Sequence, residues 1–81
     1  MVKKTIYILT NVFDRLIYIE VFLSKEEAIK QMQQSFFGVL EETKLTENDK
    51  DRYEMGKLGA WIHDYHDHEY DWSITEKEIT I

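Results

Sequence analysis

The sequence predicts an α+β two-layer domain in the order β-β-α-α-β, a small antiparallel sheet carrying one long amphipathic helix and a second helix. Three observations predict it. The run Leu16-Ile-Tyr-Ile-Glu-Val-Phe-Leu23 is extended and apolar; at Ser24 it turns directly into a stretch of helical period; and β-branched and aromatic residues recur at both ends, in residues 4–11 and 70–74.

The first helix is predicted by period and cap. At about 100° per residue, Ala28, Ile29, Met32, Phe36, Val39 and Leu40 fall in one stripe about 120° wide, with Lys25, Glu26, Lys30, Gln31, Gln34 and Glu41 elsewhere. Ser24 followed by Glu27 is a capping box, so the helix begins near Lys25 and runs through Leu40. Gly38 weakens it by about 1 kcal/mol relative to Ala, and Phe37 points away from the stripe, toward the margin of the core.

Residues 4–11 (Lys-Thr-Ile-Tyr-Ile-Leu-Thr-Asn) read as an interior strand, apolar on both faces. Asn11-Val-Phe-Asp-Arg15 supplies turn formers, which makes strands one and two an antiparallel hairpin. In the second strand Ile17, Ile19, Val21 and Leu23 share one face, with Glu20 marking the other as the wetter one.

Residues 41–52 are polar and read as a connector. Thr46 and Asp49 form a second possible cap, after which Met55, Leu58, Trp61, Ile62 and Tyr65 again align at helical spacing. Gly56 and Gly59 oppose that helix, and a strand over residues 60–66 is the competing reading; the helix is preferred. Tyr70, Trp72 and Ile74 alternate, then Ile79 and Ile81 alternate in the opposite phase, which predicts a terminal strand broken by a bulge or turn near Glu76.

Eighty-one residues support a single domain, 1–81, with one core and little room for a buried active-site cleft. The absence of Cys excludes disulfides and sulfur-ligated metals and suits a reducing cytoplasm. The apolar run after Lys3 and Lys4 is too short to span a membrane and lacks a cleavage pattern, so the expectation is an unexported, cytoplasmic protein. Charge is unevenly spread. Residues 1–40 carry four acidic and five basic side chains, net +1, and residues 41–81 carry twelve and five, net −7. Such a surface repels nucleic-acid phosphates and anionic lipid, and it suits a basic protein partner or simple solubility.

The residues Ile6-Tyr-Ile-Leu9, Val21-Phe22-x-Ser24-Lys25-Glu26-x-Ala28 and Tyr70-Asp71-Trp72-x-Ile74 together resemble small acidic proteins of phages and mobile elements of Gram-positive bacteria. The resemblance touches both ends of the chain through short, structural motifs. It implies a genetic setting in which anti-defence inhibitors, anti-CRISPR proteins among them, occur, and it transfers no functional residue.

Chemistry-bearing residues concentrate between Trp61 and Trp72. His63, His66 and His68, flanked by carboxylates, are the right ligand types for zinc, nickel or manganese, but their spacing matches no specific site, and solvated histidines at a helix end or turn are the preferred reading. Asp64, Asp67, Glu69 and Asp71 lack the apolar cover that would set one carboxyl apart as a general acid. No phosphate loop is present, and Ser24, Ser35 and Ser73 have no nucleophile context, so no enzyme activity and no cofactor are expected. Interleaving of Trp61, Tyr65, Tyr70 and Trp72 with acid points instead to a contact surface, although for both tryptophans the core is the preferred reading.

The expected function is therefore a non-enzymatic inhibitor acting as a nucleic-acid mimic, with Asp64, Tyr65, Asp67, Glu69, Tyr70 and Asp71 engaging a basic nucleic-acid-binding host protein. The alternatives are a metal-binding or metal-responsive module using His63, His66 and His68, and a structural accessory protein. An exposed sheet edge would also allow a homodimer.

Overall fold

The computed structural model describes residues 2–81. Strand β1 (Lys3–Phe13) pairs with β2 (Leu16–Phe22) through the two-residue turn Asp14-Arg15. Asp14 occupies the first central position with φ 56°, the left-handed region that two-residue hairpins require and that Asp tolerates better than most residues. Helix α1 (Lys25–Thr43) follows, then a 3-10 turn (Glu47–Arg52), and then β3 (Tyr53–Met55), β4 (Gly59–His63) and β5 (Glu69–Thr80). The five strands form one antiparallel sheet in the order β2-β1-β5-β4-β3.

The helix stripe is realised. Ala28, Met32 and Phe36 are buried, and Ile29, Val39 and Leu40 pack half-buried beside them. The Ser24 hydroxyl accepts from the Glu27 amide at 3.4 Å, and the helix runs to Thr43, three residues beyond the expected Leu40, where Lys44 caps it in the left-handed conformation, φ 60°. Opposite the helix, Leu9, Ala60, Ile62, Trp72 and Ile74 complete the core, joined by Leu45 from the segment after α1. Phe36 meets the Trp72 ring edge-on at 5.6 Å, while Phe37 stays exposed.

Four expectations are corrected. The second helix is absent, and the order β-β-α-α-β gives way to five strands around one main helix. The Thr46–Asp49 capping box does form, but it caps only the 3-10 turn, none of whose residues is buried. Without an apolar face that turn gains nothing by extending. Tyr53, Met55, Ala60 and Ile62 instead alternate toward α1, and Met55 pairs with Ala60 across a tight turn closed by the Gly56 amide on the Gly59 carbonyl at 2.7 Å. A Cβ on Gly56 would stand 3.2 Å from that carbonyl oxygen, so the glycine that spoils a helix suits this turn.

The terminal strand has no bulge. Its register with β1 is unbroken from Phe13 opposite Tyr70 to Lys3 opposite Thr80. The phase of its apolar residues changes because Tyr70, Trp72 and Ile74 lie on the helix-covered face, whereas Ile79 lies on the other. In β2 the alternation holds, but the wetter face is reversed: Phe22 packs against the core, and Ile17, Ile19 and Val21 stand on the face no helix covers, about 60% exposed. Trp61 is on that uncovered face too, outside the core. Among the described residues no helix is long and apolar enough to cross a membrane.

Candidate functional site

Register places the acidic residues. Strand positions that share a row across the uncovered face run Glu54, Trp61, Asp71, Val12, Ile17, and the neighbouring row brings His63 beside Glu69. Around Trp61 this produces a pocket of about 300 Å³ lined by Val12, Asp14, Trp61, His63, Glu69 and Asp71, with Tyr70 at its side. Three carboxylates, one imidazole and one exposed indole face the opening.

Asp14 ties the two ends of this site together. One carboxylate oxygen accepts from the Glu69 amide at 2.9 Å, and the other lies 3.0 Å from His68 Nδ1. The amide and then the imidazole hold the Asp14 carboxyl below its ordinary range, and the carboxylate in turn raises His68. Thus the β1–β2 turn, from one end of the sequence, is clamped to the start of β5.

Residues 64–68 between β4 and β5 fold around Asp64. Its side chain is buried and one oxygen accepts from the amides of both His66 and His68 at 2.9 Å, while its own amide donates to the His68 carbonyl. Asp67 closes the loop with φ 62°. Tyr65 leans the other way: its hydroxyl donates to Asp49, and the Arg52 guanidinium lies 4.0 Å above its ring. That hydroxyl lowers Asp49, and the carboxylate raises Tyr65.

The six expected contact residues therefore divide. Glu69 and Asp71 share the pocket and Asp67 stands exposed at the loop tip, but Asp64 is consumed in the loop and Tyr65 by Asp49 and Arg52. Tyr70 belongs mainly to the helix-covered face, edge-on to Phe13 at 5.5 Å, and desolvation raises its hydroxyl first of all. The histidines do not converge: His68 is engaged by Asp14, His63 lies 3.8 Å from Asp67, and among the described residues no three potential ligands come together.

Compared with protein-family models, curated proteins and solved structures, the chain matches none. The site must be read from its own geometry.

Sequence reasoning left Asp14 out of the pocket, and it weighed Trp61 only as contact surface or core and His63 only as a metal ligand, not as neighbours of Asp71 and Glu69. The signal that could have found them is parity. A strand reading of residues 60–63 puts Trp61 and His63 on one face, and a two-residue turn at Asp14 brings that turn beside the start of the last strand.

Proposed function

We propose that this chain is a non-enzymatic binding protein whose acidic, Trp61-centred pocket receives a basic side chain of a protein partner. The observation that carries the reading is the row of Trp61 and Asp71, with Glu69 and Asp14 one row on, on a face that the helix leaves open. An Arg or Lys head would sit over the indole, where a cation over the ring contributes ~0.5–1 kcal/mol at an exposed site, with the carboxylates beside it to accept its N–H groups. The surplus acid of residues 41–81 would steer a basic partner toward that face and repel nucleic acid. In the setting implied by the sequence resemblance, that partner is a nucleic-acid-binding host factor.

The test compares capture from a host lysate by the parent chain and by the Trp61→Ala, Glu69→Gln, Asp71→Asn variant. The expected result is a basic protein retained by the parent, lost with the variant, and displaced from its DNA or RNA by excess parent chain. Equal retention by both would place the contact elsewhere, and a partner whose nucleic-acid binding is untouched would remove the mimicry.

A further inference from the structure

Strand β2 is the long open edge of the sheet, and apart from Glu20 on its helix-covered face it carries none of the usual protection. Native edges are blunted by Lys, Pro, bulges or brevity. The opposite edge, β3, is brief, with three residues. β2 has seven residues, Leu-Ile-Tyr-Ile-Glu-Val-Phe, with Glu20 its single charge and no Pro or Gly. Its side chains are exposed on both faces: Leu16, Ile17, Ile19 and Val21 by 59–64% and Tyr18 by 49%.

Main-chain polarity along this edge follows from the ladder. Val2 and Ile81 exchange both backbone hydrogen bonds, at 3.0 and 2.9 Å, and the Asp14 amide donates to Glu69, so even-numbered residues of β1 bond toward β5. Odd-numbered residues of β1 therefore bond toward β2, where their partners are Leu16, Tyr18, Glu20 and Phe22. Ile17, Ile19 and Val21 are left with N–H and C=O groups directed at the open edge. The same three residues put their side chains on the uncovered face.

We infer that two copies of this chain pair through β2, antiparallel about a two-fold axis at Ile19, to form one continuous sheet. In that register Ile19 exchanges both main-chain bonds with its counterpart, and Ile17 does so with Val21 of the second copy. The outer face then matches branched aliphatic residues with themselves, and on the inner face Tyr18 stands opposite Glu20 and Leu16 opposite Phe22. An isologous contact requires this self-complementarity, and an unrelated segment does not.

Charge and apolar continuity both favour a second copy. With Leu23, also 63% exposed, the apolar row along this edge runs unbroken past the end of β2. Residues 1–40, which supply β1, β2 and most of α1, carry net +1, so pairing here joins the near-neutral halves of two otherwise acidic chains. The Trp61 pocket lies toward the β4 side of the sheet, so the dimer would present it twice.

Sedimentation equilibrium and concentration-dependent amide exchange test the pairing. The expected result is a mass near twice 9.8 kDa at concentrations on the order of 100 μM, with the Ile17, Ile19 and Val21 amides protected in the concentrated sample and exposed on dilution. Ile19→Lys, which sets two ammonium groups face to face, should be monomeric with unchanged circular dichroism, since the side chain it replaces is exposed within one copy. A parent chain still monomeric at that concentration would overturn the proposal. So would a dimer whose three β2 amides exchange as fast as in the monomer, because it would be stacked through the sheet face.

Discussion

The indole N–H of Trp72 donates to the Ser35 hydroxyl at 2.9 Å, joining β5 to α1 beneath a tryptophan that is 1% exposed. A buried indole N–H without a partner costs about 1–3 kcal/mol. Ser35→Ala should accordingly lower stability by about that amount in urea unfolding, without a change in slope. Ser35→Thr, which keeps the hydroxyl, should recover most of it.

Phe36 lies one position further along the helix and reaches the same tryptophan. Phe36→Asp would bury an unpaired charge in the core and should abolish the cooperative thermal transition, whereas Gln34→Asp, on the exposed side of α1, should melt within a few degrees of the parent. If circular dichroism showed Phe36→Asp melting like the parent, the helix would not rest on the sheet as described.

The first helix was legible because all its signals agreed: the Ser24 cap, the stripe and the absence of Pro lead to one answer. Residues 53–63 were not legible because two periods coexist there. Met55, Leu58, Trp61 and Ile62 satisfy a helix, and Tyr53, Met55, Ala60 and Ile62 satisfy two strands. What decides between them is strand pairing, with β5 on one side and β3 on the other, which the period of the segment by itself does not reveal. Which face of β2 the helix covers was hidden for the same reason, since Ile17, Ile19 and Val21 look like core until α1 is seen to lie over the other side. At the site, Glu69 and Asp71 were legible from the acidic run. Trp61 was misassigned with the helix that does not form, and Asp14 was invisible because its partners Glu69 and His68 lie at the other end of the chain.

Asp64 links the acidic run to the fold rather than to a partner. Asp64→Ala would leave the part-buried amides of His66 and His68 without their acceptor and should cost about 1 kcal/mol, with the loss localised by hydrogen exchange to residues 64–68. Asp64→Asn keeps an acceptor oxygen and should cost less. Equal stability of Asp64→Ala and the parent would mean that water replaces the carboxylate in this loop.

The Asp14–His68 pair makes stability depend on pH in a bounded window. His68 is raised in the folded chain by the Asp14 hydrogen bond and charge, so its contribution is complete below its unfolded value, about 6.5, and is lost as pH rises through the folded value. Asp14 is lowered, first by the Glu69 amide and then by His68, so its contribution is complete above its unfolded value, about 3.9, and is lost as pH falls through the folded value. The pair therefore supports the β1–β2 turn most fully between roughly pH 4 and 6.5. Both groups are exposed to solvent, which screens the effect, so the test is a difference between variants across pH. His68→Gln should melt below the parent at pH 5.5 and converge on it above pH 8. Asp14→Asn, which keeps a side chain suited to φ 56° and an acceptor for the Glu69 amide, should behave similarly on the alkaline side and should also lose the parent's decline below pH 4. A constant gap between His68→Gln and the parent from pH 5 to 9 would show that the imidazole acts there by packing alone.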